Sequence, residues 1–328
     1  MARILTTDIG GTNSRFAVFE GGEDGSLTCL KSVWLSTWGA SSFENLLQKL
    51  DASDFGYRPS TCDITVAAVP GPVESGCFAN LANVPWQVDL SGLKSDLGPG
   101  RVHLINDFVA QAFACRTSAV QHALLIKEGT GQPEAPLSVV GAGTGFGHCS
   151  LVPDGRGGFI PLPSEAGHTA FAFVTREEHD FERFVLDRTG REFVIGDDII
   201  SGRGLSYLHE FHHGIKLEPR EVVAQTIPDS PVQHWFARLY GRACRNYALS
   251  MLSLGGFYIA GGVSSKNPHL LDNDDFRDEF VASAAHGKLL RRIPVRLVTN
   301  EESGLWGAAF YGVVTLARAH ACARGKAD

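Results

Sequence analysis

The chain lacks most of the features that announce a simple role. Its seven cysteines (Cys29, Cys62, Cys77, Cys115, Cys149, Cys244, Cys322) are scattered, and the closest pair, Cys62 and Cys77, lies 15 positions apart. No C-x-x-C occurs, which argues against a zinc knuckle or a dithiol redox pair. An odd, dispersed set fits reduced thiols in a cytoplasm. Long hydrophobic runs are missing too: the longest, Leu305 to Ala317, has 13 residues. A bilayer span needs ~20, so this run reads as a buried C-terminal helix and no membrane association is expected. Asp8 and Gly10-Gly11 interrupt any N-terminal apolar region, so no signal peptide is read there. Runs of Lys or Arg are absent and the formal charge is −7, which argues against nucleic acid as a partner. Low-complexity tracts are also absent.

What is present is an ordinary globular composition at a length, 328 residues, that favours two domains over one core. Strand-like segments open the chain at Arg3–Thr7, Arg15–Glu20 and Leu27–Trp34, with a hairpin loop at Gly21–Gly25. Ser41-Ser42-Phe43-Glu44 reads as a capping box starting a helix to about Leu50. Asp63–Val69 is apolar enough to be a strand buried on both faces. Arg101–Ile105 is a further strand, with a helix from about Phe108. The same order then recurs. Leu137–Ala142, His148–Pro153 and Gly158–Leu162 read as strands, and Glu177–Arg188 and Pro231–Ser253 as helices. Ser230 caps the second helix and Gly255-Gly256 stops it. Phe257–Ala260 and Pro294–Thr299 are the last strands. Three strands followed by alternating helices and strands, written twice, predict an α/β chain with a mixed sheet in each half.

Two segments carry the chemistry most visibly. Leu5-Thr6-Thr7-Asp8-Ile9-Gly10-Gly11-Thr12-Asn13-Ser14-Arg15 and Val139-Val140-Gly141-Ala142-Gly143-Thr144-Gly145 each run a short strand into small residues and a threonine. Glycine lets a backbone approach a ligand closely, and successive N–H groups in such a turn form a nest for anions. Two nests suggest a phosphate chain gripped from two sides; a plain tight hairpin would use the same residues. Neither segment is a P-loop or a dinucleotide fingerprint. A carboxylate beside a phosphate nest, as at Asp8, calls for a divalent cation held directly or through water, unless Asp8 only shapes the turn.

Other constellations are individually ambiguous. Asn106-Asp107 sits where a strand enters a helix; it can cap that helix or supply a base to a substrate hydroxyl. Glu165 and His168 share one short loop and suit a polyhydroxyl ligand. Asp197-Asp198 before Ser201-Gly202 complements a helix N-terminus or adds acids to the same ligand. Gly261-Gly262-Val263 follows a buried strand and suits a flat ring or a bare turn.

Together, in this order, the chain resembles the bacterial glucokinase family of the actin-like/hexokinase sugar-kinase superfamily. The resemblance rests on Asp8 through Arg15, Asn83 through Trp86, Ile105-Asn106-Asp107-Phe108, Gly141 through Gly145, Glu165-x-Gly167-His168, Ser201-Gly202-Arg203-Gly204-Leu205 and Ile259 through Val263. It spans almost the whole chain. No cysteine-rich zinc loop follows His168 and the first strand is expected to begin at Arg3, so the resemblance to the repressor and kinase group of that superfamily is weaker.

The resemblance implies two actin-like, ribonuclease-H-like domains with a cleft between them. Residues 1–110 plus 303–328 would form the smaller, and 111–302 the larger. It implies ATP-dependent phosphorylation of the 6-hydroxyl of D-glucose, feeding glycolysis in the cytoplasm, by a homodimer. Asp107 would be the catalytic base, and Asn83, Asn106, Asp107, Glu165, His168 and Asp197 would bind the sugar. Gly10, Gly11, Thr12, Asn13, Gly143 and Thr144 would line the phosphates. Gly261 and Gly262 would lie near adenosine, and Asp8 would position Mg²⁺ through water. A related hexose or amino-sugar kinase, and a catalytically weak sugar-binding regulator, remain the alternatives. One departure matters: relatives place Glu where this chain has Asp197, one methylene shorter and so about 1.5 Å or less in reach. A displacement near 1 Å can cost about 10² in rate when nothing compensates. Ser164 and Ala166 stand where relatives commonly carry glycine.

Overall fold

The structure is a computed structural model that describes residues 1–22, 24–81, 84–91 and 102–324, with side chains through Ala319. The chain divides into two compact units, residues 1–121 with 300–328, and residues 122–299. The sequence reading had placed these boundaries at 110/111 and 302/303.

The first unit is built on a five-stranded sheet ordered β3-β2-β1-β4-β8, from β1 (Ala2–Ile9), β2 (Asn13–Gly21), β3 (Leu27–Ser36), β4 (Ile64–Val69) and β8 (Val102–Asn106). β1 pairs antiparallel with β2 and parallel with β4, and β4 pairs parallel with β8. Every residue of β4 is buried, as its unbroken apolar run requires. A small second sheet comprises β5 (Val73–Glu74), β6 (Phe78–Asn80) and β7 (Gln87–Asp89). Helix α1 (Phe43–Asp51) begins one residue later than the sequence suggested. Ser42, not Ser41, is its cap and accepts from the Asn45 N–H at 3.1 Å, while Asn45 Oδ1 accepts from the Ser41 N–H at 3.2 Å. Asn45 sits three residues after the true cap, and its side chain accepts from the residue before that cap rather than from the cap itself.

The C-terminal helix, Ser303–Arg324, returns to this unit and packs on α2 (Asp107–Ala114). Gly307 allows it: a Cβ there would lie 1.7 Å from the Ala110 carbonyl oxygen. Its side against the sheet is similarly close, with a Cβ at Gly312 2.9 Å from Ile4.

The second unit repeats the plan. Its sheet runs β12-β11-β10-β13-β14-β9, with β10 (Leu137–Ala142), β11 (Phe146–Pro153), β12 (Phe159–Ser164), β13 (Gly256–Ala260) and β14 (Val295–Leu297). Pairing is antiparallel from β10 to β11 to β12 and parallel from β10 to β13 to β14, as in the first unit. The one addition is β9 (Leu124–Lys127), antiparallel at the far edge. The predicted duplication is therefore present in the two main sheets, and the small β5-β6-β7 sheet belongs to the first unit.

Helices α3 (Arg176–Thr189), α4 (Gly196–Ile199), α5 (Gly202–His213), α6 (Pro219–Gln225), α7 (Pro231–Met251), α8 (Gly262–Ser265), α9 (Asp274–Val281) and α10 (Gly287–Arg291) complete the unit. Ser230 caps α7 as expected, but the helix ends at Leu252 in a left-handed conformation (φ 47°), ahead of the glycine pair. Buried Arg242 ties α7 to α3 and α9, with Nη1 2.5 Å from Glu178 Oε2 and Nε 2.9 Å from Glu279 Oε1.

Candidate active site

Both glycine segments are hairpin turns placed at the carboxyl ends of parallel strands, where ligands bind in open α/β sheets. In the first unit, the Gly10 N–H donates to the Asn13 carbonyl at 3.0 Å and closes the β1–β2 turn. Thr37 braces it from outside: its N–H donates to the Thr12 carbonyl at 2.9 Å and its hydroxyl to the Gly10 carbonyl at 2.8 Å. Thr12 and Asn13 are left exposed and Gly11 half-buried. Asp8 lies one residue before the end of β1, opposite Arg15, whose Nη1 is 3.1 Å from Asp8 Oδ2. Burial raises the Asp8 pKa and the Arg15 charge opposes the rise. Arg15 stacks 4.4 Å above Trp34, and the Trp34 Nε1–H donates to Glu302 at 3.1 Å. Arg15 is thus the partner of Asp8.

Asn106 ends β8 and caps α2, accepting from the Phe108 and Val109 N–H groups at 2.8 and 3.3 Å. Its amide donates to the Gly71 carbonyl and to Asp107 Oδ1, each at 3.0 Å. Asp107 is the first helical residue, half-buried, and its Oδ1 also accepts from its neighbour's N–H at 3.0 Å. The capping reading thus holds for Asn106, and the cap orients the carboxylate beside it. Asp8 and Ile105 fall on one register row across β1, β4 and β8, about 10 Å apart at two strand spacings. Asn83 lies outside the described residues.

In the second unit, the Gly143 N–H donates to the Gly145 carbonyl at 2.9 Å. Ser201 caps α5 at the same place, and the Gly202 N–H donates to the Gly143 carbonyl at 3.1 Å. An N-terminus of a 12-residue helix therefore abuts the turn that exposes Thr144, a favourable setting for an anion. Gly261, with φ 88°, passes so close to β10 that a Cβ would be 2.4 Å from the Ala142 carbonyl oxygen. Gly262 beside it is exposed, with open space over its Cα.

Glu165 and His168 follow β12 on a short turn, and α4 presents Asp197. His168 Nε2 stands 3.7 Å from Glu165 Oε2 and 4.0 Å from Asp197 Oδ2. Glu165 and His168 are exposed, whereas the Asp197 side chain is only 14% exposed. Asp197 Oδ1 accepts the Phe146 N–H at 2.8 Å. Two glycines make room for this carboxylate: a Cβ at Gly145 or at Gly167 would each be 2.5 Å from one of its oxygens. Asp198 does different work. It is fully buried, accepts from the Ile195 N–H at 3.3 Å and faces Arg191 at 3.4 Å. Sequence reasoning passed over Phe146, because a backbone donor leaves no mark on residue identity.

Among the described residues no three His, Cys, Asp or Glu side chains gather as a metal cluster. An Mg²⁺ held chiefly by phosphate oxygens and water needs only one or two carboxylates.

A duplicated mixed sheet with a glycine hairpin in each half is the fold of the actin-like sugar kinases. A glucokinase from an Antarctic psychrotroph shares it with a TM-score of 0.77 at 26% identity, covering 94% of this chain and 98% of its own. A glucokinase of the ROK family from Streptomyces griseus, solved with glucose and AMPPNP, shares it at 0.61 and 20% identity, over 94% and 98% of the two chains. The glucokinase family model matches residues 5–314. The glucokinase of Marinobacter nauticus is 32% identical over 322 residues, 93% of this chain and 95% of that protein. This chain belongs to the glucokinase family, whose members are sugar kinases. Among the described residues no helix is long and apolar enough to cross a membrane.

Proposed function

We propose that this protein transfers the γ-phosphoryl group of ATP to the 6-hydroxyl of D-glucose, giving glucose 6-phosphate and ADP. The observation that carries the reading is that Asp197, grouped with Glu165 and His168, lies against Gly145 of the Gly143–Gly145 hairpin. Groups suited to sugar hydroxyls and a turn suited to phosphate meet on one piece of backbone. The ligand pair in the Streptomyces griseus structure is compatible with this, since that fold holds a sugar and an ATP analogue together.

In this reading Asp107 accepts the proton of the 6-hydroxyl as its oxygen bonds to the γ-phosphorus, and the bond to the β-phosphate oxygen breaks. Such a residue mainly orients the nucleophile in phosphoryl transfer. Asn106 and Asn83 bind sugar with Glu165, His168 and Asp197. Gly11, Thr12, Asn13 and Thr144 donate to the phosphates, Gly10 and Gly143 line them while their own N–H groups close the two turns, and Gly261-Gly262 offers a bare surface to adenosine. Asp8 is a hard oxygen donor whose burial disfavours its charge, so a bound cation complements it. It would hold Mg²⁺ through water, and the ion would neutralise developing phosphate charge. The Phe146 N–H holds the shorter Asp197 carboxylate at a fixed position.

We place the reaction in the cytoplasm, where the buried thiols of Cys62 and Cys244 stay reduced, and the active form as a homodimer. Light scattering in solution tests the dimer. A panel of glucose, mannose and glucosamine against ATP, ADP and polyphosphate tests the reaction. Glucose with ATP is expected to give the highest kcat/KM. A preference for another sugar points to the related-kinase alternative. Glucose binding by calorimetry without turnover points to a regulator.

A further inference from the structure

His148 stands behind this site without belonging to it. It sits on β11, in register with Ser164, the residue before Glu165. Its ring is 3% exposed and lies between Phe146 (centroids 4.3 Å apart) and Tyr247 of α7 (4.7 Å). The Tyr247 hydroxyl is itself engaged, accepting from Ser150 at 3.2 Å. The ring nitrogen Nδ1 is 3.0 Å from the Phe146 carbonyl oxygen. A carbonyl only accepts, so Nδ1 carries the proton and donates it.

The Phe146 backbone is a junction. Its N–H holds Asp197 Oδ1 at 2.8 Å. Its carbonyl is the floor under the Gly167-His168 turn, where a Cβ would come within 2.2 Å of the oxygen. Its pairing with Ala142 closes the Gly143–Gly145 hairpin. That hairpin has anchors of its own: the Gly202 N–H on the Gly143 carbonyl at 3.1 Å, and the Tyr240 hydroxyl accepting the Ala142 N–H at 3.1 Å. The Glu165 end of the sugar-facing turn is tied to β11 by the pairing of Ser164 with His148, and Asp197 is tied to it by the Phe146 N–H.

We infer that His148 is a positioning residue for sugar recognition, fixing the Phe146 backbone so that Asp197 and the Gly167-His168 turn face the substrate at one spacing. The inference rests on the proposed sugar-binding roles of Asp197 and His168. Loss of the Nδ1–H donor lets the Phe146 backbone rotate, and the Asp197 carboxylate loses its aim. The hairpin keeps its place through Gly202 and Tyr240, so the effect falls on sugar and spares ATP.

Two variants test it. His148→Leu keeps bulk and removes the donor; His148→Asn restores a donor near the Nδ1 position. His148→Leu should raise the KM for glucose about 3–10-fold, with the KM for ATP unchanged, and His148→Asn should recover most of the loss. An unchanged glucose KM, an equal rise in both KM values, or no recovery in His148→Asn overturns the inference. Hydrogen exchange of the segment 164–169 gives a readout that needs no turnover. It should quicken in His148→Leu and return in His148→Asn, and unchanged exchange overturns the coupling. A wild-type chain that binds glucose but does not turn it over sinks the proposed reaction instead, and leaves the exchange result to decide the role of His148.

Discussion

At the scale of single residues, position and backbone partners decide what each carboxylate can do. Asp107 and Asp198 are both near helix N-termini, yet one is half-buried beside the Asn106 cap and the other fully buried against Ile195 and Arg191. Only the first can reach a substrate proton. Asp107→Asn is expected to lower kcat about 10²–10⁴-fold with the KM for glucose little changed and the circular dichroism spectrum intact; steady-state kinetics checks it. Gly261 tests the opposite end. Its φ of 88° and the Ala142 carbonyl 2.4 Å from any Cβ leave no room for a side chain. Gly261→Ala should cost at least about 1–3 kcal/mol from the backbone alone, measured by urea unfolding, and raise the KM for ATP more than that for glucose. Residue identities singled out Asp8, Asp107, Glu165 and His168 as candidates through their order and company, since each alone has an ordinary structural explanation. They hid Phe146 and His148. The first acts through its main chain, and the second is a buried histidine inside a strand, a common core residue.

At the scale of elements, strands were easier to read than helices. β4 and β10 are short, fully apolar and bounded by turn residues, and the structure gives Ile64–Val69 and Leu137–Ala142. For α5, by contrast, only a helix N-terminus was read, at Asp197-Asp198 before Ser201-Gly202, and its run through Tyr207, His209, His212 and His213 was not. It forms because Ser201 caps it and its Leu205 and Leu208 side is buried against α4 and α7. Terminal signals also misled locally: Leu252 adopts a left-handed turn that glycine usually takes, so α7 stops before Gly255. The buried Arg242 joins three elements and gives a sharp test. Burial opposes charge on Glu178, but its bonds from Arg242 prevail and hold its pKa below the usual range. Arg242→Met should destabilise the second unit by about 1.5–3 kcal/mol, because it removes charged hydrogen bonds and leaves buried Glu178 with Arg238 and Glu279 with Arg245 as their remaining cations. Adding Glu178→Leu and Glu279→Leu should recover much of that, read as thermal midpoints.

At the scale of the whole molecule, two copies of one strand plan place a glycine hairpin at matching positions, after β1 and after β10. The duplication was legible as an order of elements and not as repeated text, because only the turns need particular residues. Stability should carry a pH signature from the second copy. Burial drives the His148 pKa down to about 4, against the Phe146 carbonyl, which favours the protonated ring. The unfolded chain therefore takes up a proton between about pH 6.5 and about pH 4 that the folded chain does not. Stability is highest above that window and falls as the pH drops through it, by about 3 kcal/mol at most from this group. Urea unfolding at pH 7 and pH 4.5 should show that fall in the wild type and a smaller one in His148→Leu.

The central proposal is that this chain transfers the γ-phosphoryl group of ATP to the oxygen on carbon 6 of glucose. Phosphorus and carbon NMR of glucose incubated with ATP, Mg²⁺ and the purified protein tests it most directly. The expected product is glucose 6-phosphate, formed in step with ADP and lost in Asp107→Asn. Phosphate on another carbon, ADP formed without sugar phosphate, or undiminished product in Asp107→Asn would contradict the account.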